Sequence, residues 1–554
     1  MAFEIDHDWQ GNLATPRARI GEAAKTRLLI ILCCIWICIG LIGHHPWKPN
    51  ESTSISIIKS MLAGEHLLDP IAVGETAIKN PPLYYLAAAT FSKTFSPILN
   101  MHDAARIVSG FWMALTLLLI GMIGRELWGE GIGRQTTFIM LSSIGLIATA
   151  HLLMPEVSAL TGSAMAFYAL ALAKRRPFRA SVLLGTGIGI SFMSTGLITA
   201  AISLLTAIAL PLFFKAWRSK SYVIVLGLAA FTLAPWVLLW PALIWHISPS
   251  HLSTWWQNQI QFSQFNHLYS LRTLCWFAWP ALPIAAWGIW RFRSGLLFKP
   301  KFQLIITFFV IGFILIGMKA KSTDVNVLTL LVPLVAMAGG CAETLKRGAA
   351  GALNWFGLTL FGLMGILIWL GWIAIMTGYP AKLSERMHIL SGLSEAHINI
   401  PALIIALFAT LIWGITINAK RSNRAAVTDW AVGITMAWSL LMTLWLPMID
   451  SAKSYQGVMI NLQKALPAKY ACINSTGFGQ PQQALLDYYT DLHVMPLNES
   501  SEPICDLYLI QEDKHHAHIH PSEDWKLIWQ GKRPADRHEK FSLYQRVDYA
   551  ISTL

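Results

Sequence analysis

The stretch Trp47-Lys-Pro-Asn-Glu-Ser-Thr-Ser-Ile-Ser-Ile-Ile-Lys-Ser-Met-Leu-Ala-Gly-Glu-His66, closed downstream by Asn80-Pro-Pro-Leu-Tyr-Tyr85, is polar and carries acidic residues. It follows directly on an apolar run, 28–43. A carboxylate beside a bilayer is costly unless it faces water or a ligand, which marks Glu51 as a candidate for chemistry. Ile55, Ile58, Met61 and Leu62 recur at helical spacing, which predicts a helix over 51–64 lying on the membrane surface. The segment 82–96 is apolar but short for a span and contains Lys93, and it reads as a second surface helix.

The rest of the chain supplies the membrane. Of 554 residues, 55% are hydrophobic and 13% charged, and the mean hydropathy is +0.50. Soluble domains carry about 25% charged residues, so the composition is that of a polytopic membrane protein. The 24 Trp suit many membrane–water interfaces. The net charge of +12 is spread in short basic clusters between apolar runs. That is a topology signal and not a nucleic-acid-binding face. The run from Arg27 to Gly43 lacks a small-residue cleavage site and reads as a retained first span.

Basic clusters then fix the thread. The tail 1–27, with Arg17, Arg19, Lys25 and Arg27, is expected in the cytoplasm, and the loop 44–106 outside. Spans follow at 107–124 and 135–150, an outer loop at His151 to Glu156, then a span ending at Lys174-Arg175-Arg176. Further spans are expected at 181–195, 197–214, 222–245, 272–291, 303–318, 326–340, 354–377, 401–418 and 430–447, with an outer loop at 246–270. The total is about thirteen, and nearly every basic cluster falls inside. Counting 82–96 as a span would invert everything after it. The expected fold is an α-helical polytopic membrane protein, with the membrane domain over 28–449 and a small α/β extracytoplasmic domain over 450–554. In that tail 470–474, 505–510 and 541–546 read as strands and Pro481 to Thr490 as a helix.

Motifs in this order resemble a known family. Pro49-Asn50-Glu51, Gly64-Glu65-His66 and Lys79-Asn80-Pro81-Pro82-Leu83-Tyr84-Tyr85 match the frame of the first outer loop of lipid-linked-sugar glycosyltransferases of the GT-C type, which include aminoarabinose transferases and protein O-mannosyltransferases. Relatives there read Pro-Asp-Glu, Gly-Asp-Trp and Glu-Lys-Pro-Pro-Leu-Tyr-Tyr. His102-Asp-Ala-Ala-Arg106, Gly124-Arg-Glu-Leu-Trp-Gly129, His151-Leu-Leu-Met-Pro-Glu156 and the stretch 325–334 continue the resemblance across about 30–340. The departures are specific. The usual Asp is Asn50, the usual Lys is Asn80, and Met193-Ser-Thr-Gly196 stands where relatives show Leu-Thr-Lys-Gly.

The resemblance implies transfer of a sugar from a polyprenyl-phosphate donor to an extracytoplasmic acceptor such as lipid A, a glycan or a protein, at a bacterial inner membrane with the tail domain periplasmic. Such a displacement needs a base near the nucleophile and positive charge near the departing phosphate. The candidate catalytic residues are Glu51, Asn50 and Glu156. Asn50 accepts no proton at neutral pH, so the base role moves to Glu51. The competing reading of Glu51 is a carboxylate stabilised by a helix N-terminus. Lys79, Arg106, Lys319 and Lys321 are basic residues expected outside, against the usual bias, and are candidates for the donor phosphate; a solvated loop end is the alternative. Glu65, His66, Asn80, Tyr84 and Tyr85 are candidate substrate contacts. Cys472 and Cys505 flank strand-like segments and form a disulfide if the tail lies outside. The only cofactor expectation is a divalent metal ion with no assigned ligands, since the spacing in His515-His-Ala-His-Ile-His520 lacks a clear ligand set. From another functional class, the alternative is a non-catalytic relative that binds polyprenyl lipid or glycan as a subunit. A transporter is disfavoured because no paired inverted halves are visible.

The topology has a direct check. Single-cysteine variants at Lys346 and Ser500 should label from opposite faces of the membrane. Labelling of both from one face would overturn the thread.

Overall fold

The computed structural model describes residues 22–547 apart from 263–264, 266, 320–323, 393–396, 418–422, 498–502, 513–521, 523, 535 and 537–538. Lys321 and the 515–520 histidine run therefore lie outside the described residues.

Among the described residues, seven helices are long and apolar enough to cross a membrane: Met101–Trp128, Lys220–Ile247, Pro300–Gly317, Val325–Thr344, Arg347–Thr377, Ile400–Ile417 and Ala426–Leu444. Thr26–Cys38 and Leu197–Phe213 are shorter apolar helices. Pro155–Leu172 and Pro177–Thr195 occupy two further expected spans. The remaining expected spans are interrupted. The 135–150 segment forms Ile132–Leu141 and Ile144–Thr149. It breaks at Ser142-Ser143, whose hydroxyls bond back to the Phe138 and Ile139 carbonyls. The 272–291 segment forms His267–Phe277 and Ala281–Arg291 on either side of Pro280, which lacks the N–H needed to continue a helix. The outer loop 246–270 contains a helix, Pro249–Gln259, and Ala381–Ser391 is a helix the apolar pattern did not announce.

Pro155–Leu172 packs on Pro177–Thr195 backbone to backbone. A Cβ at Gly162 would stand 2.6 Å from the Gly187 carbonyl oxygen, and one at Gly187 would stand 2.7 Å from the Ala166 nitrogen. Small residues at such a crossing give close contact between helices in lipid, where no hydrophobic force drives them together. The crossing fixes the helix that begins at Pro155 and carries Glu156.

The first loop differs from the expectation of helices lying on a membrane surface. Asn50–Leu62 is buried on most of its circumference, including Glu51, Ser52, Ser54, Ile55, Ser56, Ile57, Ile58 and Met61. It is held between Leu83–Phe95 and the tail helix Gln480–Thr490. Its serines are tolerated inside because they are bonded: Ser52 Oγ to the Pro49 carbonyl, Ser54 Oγ to the Leu153 carbonyl, and Ser56 Oγ from the Val73 N–H. Periodicity showed only the apolar stripe. The polar face is covered by a domain more than 400 residues later in the chain. Lys59 secures that contact through the Asp487 carboxylate at 3.2 Å and the Asp487 carbonyl at 2.6 Å.

The tail domain is a mixed sheet with helices. Its strands are β1 (Ile473–Thr476), β2 (Met495–Pro496), β3 (Leu507–Glu512), β4 (Trp525–Gly531) and β5 (Lys540–Arg546), in the order β2-β1-β3-β5-β4. β1 is parallel to β2 and β3, and β5 is antiparallel to β3 and β4. Leu485, Leu507, Leu509, Phe541 and Leu543 form its core with Tyr455 and Met459. The expected strands fall on or beside β1, β3 and β5. β2 is two residues long, and β4 is an edge strand with little burial, so neither had a legible alternation. Cys472 and Cys505 are bridged at the entries to β1 and β3, and Asp506 accepts from the Ala471 and Cys472 N–H groups.

The bridge closes a loop with a sequence separation of 33. Its loss in Cys472→Ser should lower the tail domain's stability by about 2–4 kcal/mol. Thermal unfolding with and without reductant checks this. Reductant should shift the native protein and leave the variant unchanged.

Candidate active site

The first polar assembly is an ion pair in the interior. Glu51 and Arg106 have no exposed side-chain surface, and Arg106 Nε donates to Glu51 Oε1 at 2.7 Å. Glu51 Oε1 also accepts the Leu153 N–H at 3.1 Å, and Oε2 accepts the Trp47 N–H at 2.9 Å. Arg106 Nη1 donates to Asp103 Oδ1 and to the His44 carbonyl, each at 2.8 Å. Asp103 Oδ1 also takes the Gly43 N–H. Burial, and then the Arg106 guanidinium, lowers the His44 pKa, so its ring stacks neutral on Trp47 at 4.2 Å. Glu51 thus ties three chain segments together. Its position at the start of a helix agrees with the structural reading, but its principal partner is a buried arginine and not the helix dipole.

A cavity of about 30 Å³ forms the second assembly, lined by Asn80, Glu156, Thr199, Lys319 and Asn326 among others. Pro155 opens the helix that presents Glu156. Among the described residues no side chain bonds the Glu156 carboxylate. Lys319 lines the same cavity and is the nearby cation that acts on it. Lys319 sits just past Pro300–Gly317, pinned by a backbone bridge to Phe262. Its Nζ makes a long bond to Asn326 Oδ1 at 3.4 Å, while among the described residues Asn326 Nδ2 is buried without a partner. Burial lowers the Lys319 pKa below the ordinary lysine value, and the Glu156 carboxylate draws it part of the way back. Tyr85 stands beside the same group. Burial raises its phenol pKa, Asn80 bonds it, and the Glu156 carboxylate raises it further. An unpaired carboxylate, a loosely held ammonium and an orphan amide donor in one cavity suit proton abstraction and anion binding.

The structure therefore brings together Glu156, Lys319, Asn80 and Tyr85 from the candidates. Glu51 and Arg106, named with Glu156 as candidates, do not line this cavity. Asn50 is exposed, with its Nδ2 3.9 Å from Met154 Sδ. Lys79 is exposed and pairs with Glu75. Tyr84 is a buried structural group whose hydroxyl meets Ser109 Oγ at 2.7 Å and takes the Met154 N–H. Glu65 and His66 are exposed beyond the first helix, where His66 pairs with Asp69 at 3.2 Å. Sequence reasoning missed Asn326 and Thr199. The signal available for Asn326 was a polar residue in the otherwise apolar stretch from Val325 to Pro333. Among the described residues no three His, Cys, Asp or Glu side chains gather as a metal-binding group. The metal expectation finds no donor set there.

The two carboxylates should behave differently when neutralised. Glu51→Gln leaves Arg106 with Asp103 as its sole ionic partner and should cost roughly 3 kcal/mol, the lower end of the range for a broken buried pair. Glu156→Gln breaks no side-chain hydrogen bond among the described residues and should cost less than Glu51→Gln. Thermal unfolding in detergent separates the two.

No family model matches the chain. It is 23% identical over 464 residues to the undecaprenyl phosphate-alpha-4-amino-4-deoxy-L-arabinose arabinosyl transferase of Yersinia enterocolitica, covering 78% of each chain. It is 22% identical over 475 residues to the enzyme of that name from Serratia proteamaculans, covering 81% of each. Among solved structures it is similar to ArnT from Cupriavidus metallidurans bound to undecaprenyl phosphate, with TM-score 0.67 and 13% identity over 94% of this chain and 98% of that one. The apo state of that protein gives TM-score 0.68. The chain shares the ArnT fold, is a multi-pass membrane protein, and resembles in sequence the aminoarabinose-transferase members of the GT-C glycosyltransferases.

Proposed function

We propose that this protein is a membrane glycosyltransferase moving a sugar from a polyprenyl-phosphate donor to an extracytoplasmic acceptor, with chemistry centred on Glu156 and Lys319. The observation that carries this reading is the unpaired Glu156 carboxylate facing Lys319 in one cavity. Similarity to aminoarabinose transferases over about four-fifths of the chain, and the fold shared with ArnT, support the reaction class. The donor is of the undecaprenyl-phosphate-sugar type carried in those relatives' names. The sugar is a pentose or hexose, and the acceptor is of the lipid A, glycan or protein class.

In this reading the acceptor oxygen attacks the anomeric carbon of the sugar as its bond to the phosphate oxygen breaks. Glu156 takes the acceptor's proton. Lys319 and the Asn326 amide stabilise the negative charge left on the polyprenyl phosphate. Asn50 takes no part as base, and Glu51 holds the loops in place through Arg106. The Cys472–Cys505 bridge supports a tail domain on the oxidising, periplasmic side of a bacterial inner membrane. A second reading, a non-catalytic relative that binds polyprenyl lipid or glycan as a subunit, is favoured by Asn50 at the usual Asp position together with the pairing of Glu51 to Arg106.

Mass spectrometry of lipid A and envelope glycans from a deletion strain decides between them. Complementation with the native gene should restore a sugar adduct that Glu156→Gln fails to restore while remaining expressed and donor-binding. A Glu156→Gln strain with unchanged adducts favours the non-catalytic reading. Lys319→Ala should weaken donor-lipid binding about tenfold to hundredfold. The pH dependence has a definite sign. The charged ammonium binds phosphate and its pKa is lowered, so donor affinity should fall as pH rises toward a point below the ordinary lysine range. Lys319→Arg should shift that loss to higher pH.

A further inference from the structure

We infer that a second cavity, at the junction of the membrane domain and the tail domain, is a saccharide-binding site. This cavity has a volume of about 570 Å³, shares no residue with the one holding Glu156, and is lined by His45, Asp450, Gln456, Asn461, Trp529 and Gln530 among others. Its size falls within the roughly 300–1,000 Å³ typical of small-molecule sites.

The walls are held in place before any ligand arrives. One wall is the end of Leu446–Lys453 and the start of Gln456–Ala465, and the other is the end of β4. Arg533 joins them. It donates to the Ala452 and Lys453 carbonyls at 3.5 Å, lies over the Tyr455 ring at 4.4 Å, and pairs with Asp536 and Glu539. Glu539 in turn takes the Lys48 ammonium and the Tyr455 hydroxyl, which ties in the first loop. A site built across two domains with this many charged cross-links is preorganised, so little ordering opposes binding.

The lining has the two features a sugar ring requires. One is a flat apolar platform. The Trp529 ring lies on Gly531, where a Cβ would stand 2.3 Å from ring atom Cζ2, so the glycine sets the height of the indole. Trp529 is half-buried, and across the cavity nothing lies within 4 Å of a Cβ built at Gly457. The other is a rim of polar groups with capacity to spare. Asp450 Oδ1 accepts the His45 N–H at 2.9 Å and the Trp47 indole N–H at 3.0 Å, while among the described residues Oδ2 has only His45 Nε2, at 4.0 Å. The His45 ring lines the cavity beside Asp450. Gln530 Nε2 donates to Ser542 Oγ, which leaves its carbonyl oxygen to accept. Asn461 and Lys532 are exposed at the opening. A pyranose has one face of C–H bonds and a girdle of hydroxyls that each donate and accept. An aromatic platform ringed by a carboxylate, carboxamides and an imidazole matches that pattern. A lipid chain would leave these polar groups unpaired, and a free anion would meet the Asp450 carboxylate.

Saturation-transfer NMR on the full-length protein in detergent tests the site, with N,N′-diacetylchitobiose and glucosamine 1-phosphate as probes. At least one probe should show transfer to its ring protons with the native protein. That signal should fall at least fivefold in Trp529→Ala and in the Asn461→Ala, Gln530→Ala double variant. The double variant changes only exposed side chains and guards against misfolding. Glu156→Gln should keep the full signal, so the result stands apart from whether the chain is a transferase. Absence of signal from both probes with the native protein, or equal signals in native and both variants, would overturn the assignment.

Discussion

The Glu51–Arg106 pair is the contact on which the packing of the first loop rests. Two charges removed from water are costly unless every remaining lone pair and proton finds a partner. Here the carboxylate accepts from Arg106, Leu153 and Trp47, and Asp103 and the His44 carbonyl take Arg106 Nη1, while among the described residues Nη2 is buried without a partner. The partners come from the first loop, from Met101–Trp128 and from the turn before Pro155. The pair therefore sets the height at which that turn leaves the core, and Glu156 follows three residues after Leu153. The residue that looked most reactive in the sequence acts through position, because its reactive capacity is consumed by its own fold.

That arrangement separates two duties that a carboxylate in this loop could have combined. Asn50, without a titrating group, stands next to Glu51, whose charge is matched by Arg106. Among the described residues the carboxylate of the Lys319 cavity is Glu156, which no other side chain bonds. Lys319 complements it from a segment more than 160 residues away, braced by Phe262 and Asn326. In the proposed reading the chemistry thus moves from the first loop to the junction of 151–156 with the segment that follows Pro300–Gly317.

The tail domain completes the first loop. Lys59 on Asp487, His102 on Tyr488 and Lys48 on Glu539 fasten it over residues that would otherwise face water. The same cross-links shape the cleft between Asp450 and Trp529. The domain is joined to the site by charge pairs and aromatic contacts, and these are what a position in the linear sequence conceals.

The sequence by itself determined the membrane character, the placement of most helices and the existence of the tail domain. Long apolar runs and basic clusters are local properties, and a bilayer leaves the backbone few alternatives to helix. It also determined the order of the loop motifs, and with them the candidates Glu156, Lys319, Asn80 and Tyr85. Only the tertiary structure decided that Glu51 is paired with Arg106, that Arg106 is interior and that Asn326 belongs to the cavity. The physical reason is that a charge's role depends on its partners and on burial. The partners of Glu51 lie at positions 47, 106 and 153, and the cover over its helix lies beyond 480. No pattern of spacing within one segment carries that information.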